Sequence, residues 1–490
     1  LNRSTKRTQD RKEMIMAWKD FREFVSEMDR RGEVKVVEGA DLDLEIGTLT
    51  ELMCERGGPM LLFDRINGYP KGYRIAAKPY ASHLRNVLAL GLPEDRTPIE
   101  LFKLWKEKFD GFKPIKPVQV ASAPVMENSL DGDAVDLTKF PTPKWHELDG
   151  GAYFGTGCSV ITRDLDEGWV NMGTYRSMIH DKKTLGFQIA PYHHGNIHLR
   201  KWWAQGKSCP IAVAVSVDPY LYCASTSNVP WGTTEYEYAG FIKGAPEEFI
   251  PGPVTGLPLP ANAEVIVEGE VPPMTEEQKM EGPFGEYTGY YAGGERMRPV
   301  IRVKAIHYRT NPLLHGDPPL IPGGERKSVP PAGSLLTVWE GLEKSGIPGI
   351  KAVYALNTGG ALTTVVSVKQ QYSGHARQVG RVASGLMHSM CRLMVVVDDD
   401  IDPSNADEVL WAIATRSDPE TSFEIQRDCP STWLDPMMAP EKKAKGDLKG
   451  SRALIIACRP WEWINEFPAV SRASEGLRKK TMEKWSALFK

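Results

Sequence analysis

The chain has 490 residues, 41% hydrophobic and 25% charged, the make-up of a soluble globular protein with two to four domains. Its formal net charge of −3 argues against nucleic acid or an anionic membrane as partner, and no apolar run reaches the roughly 18 residues that span a bilayer. Seven scattered cysteines with no Cys-x-x-Cys pair argue against a disulfide framework or a thiolate zinc site, and point to a reducing cytoplasm.

Leu1–Lys12 is polar and basic and reads as an extension ahead of Met14 or Met16. Trp18, Phe21, Val25 and Met28 are spaced 3, 4 and 3, which predicts an amphipathic helix over 13–31. Gly32 stops it. A strand follows at 33–37, then a helix over 44–54 and a buried strand at 60–63. Asn67-Gly68-Tyr69-Pro70 is a turn, and helices are expected over 84–90 and 99–108. This alternation makes 14–112 an α/β domain. Proline-rich 113–143 is a linker or a wrapping segment.

From about 150 to 310 the texture changes. Short β-type runs at 157–162, 169–175, 211–217, 263–271 and 300–308 are separated by Gly, Pro and Asn, which points to an antiparallel sheet or barrel. In one run Val265 and Val267 share a face, with Glu264, Glu268 and Glu270 opposite. Helices are few there, the best being 198–205 and 234–243. Beyond the Gly/Pro-rich turn at 315–333 the α/β alternation returns. Helices are expected at 335–344, 378–390 and 408–416, and strands at 352–356, 363–368 and 393–397. Ser404-x-x-Asp407 reads as the cap of the third helix. Leu477, Thr481, Trp485 and Leu488 mark a terminal helix that would dock on a neighbouring copy.

One stretch stands out for chemistry: Glu281-Gly-Pro-Phe-Gly-Glu286, continuing as Tyr287-Thr-Gly-Tyr-Tyr291. Pro283 fixes one φ and the glycines permit turns closed to other residues. A shaped loop carrying two acids suits proton transfer, although it could equally be a turn with two solvated glutamates. Asn171, His194 and Glu235 make a mixed N/O set that suits Mn²⁺ or Mg²⁺ better than zinc. A core histidine and a surface glutamate would read the same way. Arg176 could clamp a carboxylate or merely pair with Asp164 or Asp166. No Gly-x-Ser-x-Gly, Walker, His-Glu-x-x-His or Gly-x-Gly-x-x-Gly motif is present.

Taken in order, the motifs resemble the UbiD family of prenylated-FMN-dependent decarboxylases over essentially 17–490. The N-terminal marks are Gly57-Gly-Pro-Met-Leu-Leu-Phe63 and Asn67-Gly-Tyr-Pro70. Asn171-Met-Gly-Thr-Tyr-Arg176, His194, Glu235-Tyr-Glu-Tyr-Ala-Gly240, Pro260-Ala-Asn-Ala-Glu264, Val267-Glu-Gly269 and the Glu281–Glu286 loop follow. Lys369-Gln-Gln-Tyr-Ser-Gly-His-Ala376 and Asp398-Asp-Asp-Ile-Asp402 complete the set.

The resemblance implies an α+β multidomain fold. Its parts would be an N-terminal α/β domain (14–112), a central split β-barrel of flavin-reductase type that binds prenylated FMN (113–325), a C-terminal α/β domain (326–470) and a terminal oligomerisation helix (471–490) of a homodimer or homohexamer. It places Mn²⁺, with a nearby K⁺, on Asn171, His194 and Glu235. Cofactor contacts fall to Thr174, Tyr175, Arg176, His193 and Ser225, and the cleft to the loop 318–331. The basic residue that holds the cofactor phosphate in relatives has no clear match near Ser384, Gly385 and Leu386. Arg176 would orient the substrate carboxylate while Glu281 holds Arg176. Glu286 would protonate the carbon after CO₂ leaves a covalent substrate–cofactor adduct. The Gly-Thr-Tyr-Arg and Glu-Tyr-Thr-Gly-Tyr-Tyr variants resemble the branch acting on aromatic and heteroaromatic acids. Cinnamate-type acids, physiological carboxylation and a flavin-free metal hydrolase stay as alternatives. A flavin prenyltransferase would supply the cofactor.

Overall fold

The computed structural model describes residues 17–323, 334–360, 362–387 and 391–488. The expected extension 1–12, the start of the first helix, residues 388–390 of the 378–390 helix and most of the 318–331 loop lie outside them.

The first helix is Phe21–Arg30, because the Asp20 side chain accepts the Glu23 N–H and sets the start. Trp18 therefore precedes the helix, and its indole N–H donates to Leu88 O at 2.9 Å. The N-terminal sheet runs Val34–Glu38, Met60–Asp64, Arg74–Ala77, Leu313–Gly316. Its last strand arrives from beyond the central block, in parallel register with Arg74–Ala77. The first 112 residues thus do not complete their own sheet.

Among the described residues the central sheet has nine strands. Its heart is the antiparallel series Cys158–Arg163, Cys209–Val215, Val265–Val271 and Val300–Tyr308. Its path ends at Tyr153–Gly155 on one side and Val170–Gly173 on the other, so the sheet stays open. Asn128–Asp131, from the proline-rich segment, pairs with Val300–Tyr308, so this segment wraps the sheet. The expected alternation at 264–270 fails in part. Glu264 and Glu268 are fully buried, because both faces of the sheet are covered and each carboxylate has partners. Glu264 takes Arg22 and Arg309; Glu268 takes His307 and Thr255.

The C-terminal sheet runs Ile350–Leu356, Thr363–Val368, Leu393–Asp398, Lys449–Ala457, Phe423–Pro430. Its helices are Ser334–Lys344, His375–Leu386 and Ala406–Arg416. The cap of the last is Asn405, which accepts from Asp407 and Glu408, while the Ser404 hydroxyl turns back to Asp402. The terminal helix, Glu475–Lys484, is exposed throughout. Among the described residues no helix is long and apolar enough to cross a membrane. The whole is an α+β fold of several units.

Candidate active site

The Glu281–Glu286 loop is held by close backbone contact. Lys279–Glu281 pairs with Arg296–Arg298, and beyond it Gly282 takes φ +92°, before a cis peptide to Pro283. The Gly150 N–H donates to Pro283 O at 2.8 Å, and a Cβ on Gly150 would come within 2.0 Å of Gly282 O. Only glycine admits that approach.

The loop aims both acids at one guanidinium. Arg176 Nε and Nη2 donate to Glu281 Oε1 and Oε2 at 2.9 and 3.1 Å, and Nη1 donates to Glu286 Oε1 at 2.5 Å. Tyr153 adds a hydroxyl donation to Glu281 Oε1 at 3.1 Å. Phe284, between the acids, packs on the Tyr153 ring and lies 5.1 Å from the Arg176 guanidinium carbon. All three charged groups are largely withdrawn from water, Glu281 at 1% and Glu286 at 8% exposure. Burial pushes the Glu286 pKa up, with Arg176 pulling it down and Glu281 adding to the rise. Arg298 stands near the group. Its own pKa is lowered by burial, and its buried Nε has no hydrogen-bond partner among the described residues. Asp164 and Asp166 pair with Lys201 instead of Arg176, at 2.8 and 3.1 Å.

A second cluster lies along the neighbouring backbone. Asn171 sits on Val170–Gly173, and His194 and Glu235 are the first residues of His194–Ala204 and Glu235–Lys243. Glu235 Oε2 accepts the Met172 N–H at 2.6 Å, which ties it to the Asn171 strand. Burial pushes Glu235 up to about 8. Tyr175 links the cluster: the Asn171 amide and the Gly195 N–H lower its pKa against a larger rise from burial. His194 packs edge-on to Trp169 and Trp231, and burial lowers its pKa, favouring the neutral imidazole that ligates metals. Thr174 and Ser225 meet directly: Thr174 N–H donates to Ser225 O at 3.1 Å, and the hydroxyls lie 3.2 Å apart. The His193 and Tyr175 rings lie 5.4 Å apart.

The expected residues therefore fall into two groups, Arg176–Glu281–Glu286 and Asn171–Tyr175–His194–Glu235, joined by the 171–176 backbone. The cation set passes a simple test of fit. Glu235 is buried with no ion pair among the described residues, so its carboxylate charge stands unmatched there. Among those residues no three His, Cys, Asp or Glu side chains form a metal cage, so a cation here would complete its shell from outside the chain. At Ser384, near which the phosphate contact stands open, the hydroxyl donates to Gln426 and the carbonyl accepts from Arg452. Sequence reasoning missed Tyr153, Phe284 as a ring partner of Arg176, and Arg298. No periodicity marks them; the Gly150-Gly151 pair was the available signal of close approach.

Family models described as the 3-octaprenyl-4-hydroxybenzoate carboxy-lyase N-terminal, Rift-related and C-terminal domains match residues 25–105, 116–322 and 333–457. The chain belongs to the UbiD family of carboxy-lyases. A phenolic acid decarboxylase of Bacillus subtilis is 33% identical over 434 residues, covering 87% of this chain and 90% of the relative. A pyrrole-2-carboxylic acid decarboxylase of Pseudomonas aeruginosa is 31% identical over 501 residues, covering 95% and 97%. Among UbiD structures, vanillic acid decarboxylase of Sedimentibacter hydroxybenzoicus in closed form aligns with a TM-score of 0.79 and 26% identity, over 97% of this chain and 100% of that one. The UbiD-class enzyme HmfF of Pelotomaculum thermopropionicum, in complex with FMN, aligns with a TM-score of 0.82 and 26% identity, over 95% and 100%.

Proposed function

We propose that this UbiD enzyme removes CO₂ reversibly from an aromatic or heteroaromatic carboxylic acid, using prenylated FMN. The observation that carries the reading is the buried Arg176–Glu281–Glu286 group in a carboxy-lyase fold. A guanidinium has five N–H donors, and the two glutamates use three, so two remain to clamp a substrate carboxylate. Burial is the largest influence on Glu286 and raises its pKa, Glu281 adds to the rise, and Arg176 and Arg298 oppose it without reversing it, which favours a proton on this carboxylate. Glu281 has the two-point grip and the Tyr153 hydroxyl, so the proton belongs on Glu286. That makes Glu286 the acid that supplies the proton when the carboxylate leaves, and Glu281 the residue that keeps Arg176 aligned.

Prenylated FMN, when bound, provides the electron sink that loss of CO₂ from an sp² carbon needs. Thr174, Tyr175, Arg176, His193 and Ser225 would face it. Asn171, His194 and Glu235 would hold Mn²⁺, with K⁺ nearby, against its phosphate. Support for this cofactor comes from solved relatives carrying FMN and prenylated FMN. The relatives acting on phenolic and pyrrole acids support the substrate class. We place the enzyme in the cytoplasm as a homo-oligomer, with a flavin prenyltransferase supplying the cofactor. The seven free cysteines accord with a reducing compartment.

The test is co-production with a flavin prenyltransferase, followed by the absorbance spectrum and a screen of aromatic and heteroaromatic acids for CO₂ release. A coloured protein that decarboxylates at least one of them is expected. Glu286→Gln is expected to keep the spectrum and lose turnover. Turnover in that variant at the wild-type rate would refute the assignment of the proton donor.

A further inference from the structure

Lys279–Glu281 and Arg296–Arg298 pair antiparallel, with Glu281 opposite Arg296 and Lys279 opposite Arg298. Opposed side chains share a face of such a pair, and diagonal neighbours stay within reach of long side chains. Lys279, Glu281, Arg296 and Arg298 therefore stand on one face, with Arg298 diagonal to Glu281. Met280 and Met297 take the other face and are 51% and 43% exposed, so the charged face is the one turned inward. The neighbouring strand leads to the same place. Gly186 pairs with Val300, and the Phe187 N–H donates to Pro299 O at 3.0 Å. A Cβ on Gly186 would stand 3.3 Å from Glu281 Cγ. The backbone just after Arg298 thus borders Glu281 from a second side.

Three of the four side chains are engaged. Lys279 Nζ pairs with Asp181 at 2.7 Å, Glu281 takes the Arg176 fork, and the Arg296 guanidinium lies over the Trp433 ring at 4.3 Å. Arg298 makes no ion pair among the described residues, and its buried Nε has no hydrogen-bond partner there. A guanidinium does not shed its charge in a protein. Arg298 therefore brings a full positive charge to the two carboxylates without gripping either.

That placement suits an acid that must both keep and surrender a proton. Burial holds the proton on Glu286 and Glu281 adds to the hold, while Arg176 and Arg298 oppose it. When the proton leaves, the site gains a negative charge, and a fixed cation in a dry site stabilises it strongly. Arg176 is already committed to Glu281. The other groups about the loop are Tyr287, Asp149, which accepts from the Gly285 N–H at 3.4 Å, and Lys443, whose Nζ donates to Ala292 O at 2.7 Å. His180 stands beside Glu281, and burial lowers its pKa, which favours the neutral ring.

We infer that Arg298 is a positioning residue of the decarboxylase site, whose unpartnered positive charge on the Glu281 face stabilises Glu286 as a carboxylate and so eases delivery of its proton. The inference rests on the proposed decarboxylation.

The test compares Arg298→Met, which removes the charge, with Arg298→Lys, which keeps it, both as holoenzyme. Arg298→Met is expected to move the alkaline limb of kcat/KM up by about one pH unit, because Glu286 then holds its proton more tightly. The low-pH plateau of kcat should fall about threefold, since a weaker acid donates more slowly, with KM little changed. Arg298→Lys should restore both. Unfolding by denaturant across pH reads the same charge without turnover. The pH at which the Glu286-dependent stability is lost should rise in Arg298→Met, and that dependence should vanish when Glu286→Gln is added, which separates Glu286 from His180, Asp149 and Tyr287. Should Arg298→Met fail to fold, Arg298→Gln carries the same expectations. An unmoved limb in a folded variant would make Arg298 structural, and a rise in KM alone would make it a direct substrate contact; either overturns the inference. If wild type turns over no aromatic or heteroaromatic acid, the proposed decarboxylation falls and the inference with it. If wild type turns over an acid while the limb and the unfolding profile ignore the charge at 298, only the inference falls.

Discussion

Arg176 and Glu281 meet fork to fork, two parallel hydrogen bonds at 2.9 and 3.1 Å, with Glu281 only 1% exposed. This grip leaves Arg176 one bond for Glu286 and two donors for a substrate. Glu281→Gln replaces one charge-assisted acceptor by an N–H that must face the guanidinium. Arg176 would then tilt away from its clamp. A fall in kcat of roughly 10²-fold is expected, measured on holoenzyme with its flavin spectrum unchanged. Tyr153→Phe removes only the supporting hydroxyl, so a loss of about fivefold, about 1 kcal/mol, is expected. The opposite ranking would show that Tyr153 matters more than the fork.

Glu286 fixes the pH dependence. Burial raises its pKa above the ordinary 4.5, with Arg176 opposing. The protonated form is the donor, so kcat/KM should hold at low pH and fall as pH rises through the folded-state value. The linked stability has the same sign. The folded state binds this proton more tightly than the unfolded chain, so the contribution is full below about 4.5 and is lost as pH rises through the folded value. Glu286→Gln should remove that slope from denaturant titrations between the two values. A profile with no alkaline limb in turnover would contradict the proton-donor role.

Asn171 and Glu235 make a separate forecast that needs no turnover. Mn²⁺ added with FMN should raise the Tm of the apoprotein by a few degrees, because a ligand that binds the folded state alone stabilises it. Glu235→Gln and Asn171→Leu should abolish the rise. Glu235→Gln keeps an acceptor for the Met172 N–H and removes a buried charge that has no ion pair among the described residues, so it is not expected to lower the metal-free Tm much. A rise that survives both substitutions would place the cation elsewhere.

The exposed terminal helix and the turn after it carry Leu477, Met482, Trp485 and Leu488, each more than half exposed. Four such side chains on one short segment favour cover by another chain. Removing residues 474–490 should lower the oligomeric mass in sedimentation while leaving the far-ultraviolet spectrum of the body intact. An unchanged mass would show that the helix is not the contact.

Legibility in the sequence follows the physics of each element. Thr363–Val368 and Val300–Tyr308 are readable to the residue, because buried strands need continuous or strictly alternating apolar residues. Phe423–Pro430 is not readable: it is an edge strand whose pattern is inverted, with Phe423 and Ile425 exposed while Glu424 and Gln426 turn to Arg381 and Ser384. Arg74–Ala77 is four residues long, too short for any period to show. The site divides likewise. Arg176, Glu281 and Glu286 stand in motifs carried by the family resemblance. Tyr153 and Lys443 reach the same loop from 128 and 151 residues away in sequence. Their roles exist only once the chain is folded.

Glu264 shows what such distant contacts are worth to the fold. It is fully buried at the start of the Val265–Val271 strand. Its oxygens take Arg22 Nε and Nη2 at 2.7 Å each, Arg309 Nη1 at 3.2 Å and the Leu313 N–H at 3.0 Å. One carboxylate thus joins the first helix, the central sheet and the strand that completes the N-terminal sheet. Glu264→Ala would leave two guanidinium groups facing an empty, dry site. Arg22 can partly retreat to water and Arg309 keeps Asp20 at 2.8 Å, so the penalty is tempered. A loss of about 3 kcal/mol is expected, at the low end for breaking a buried pair, measured by denaturant unfolding. Glu264→Gln keeps the volume and one acceptor and should cost less. The double variant Arg22→Met with Glu264→Gln should cost less than the sum of its parts, because each single change strands a partner that the pair removes together. Additive losses would mean that the two groups do not depend on one another.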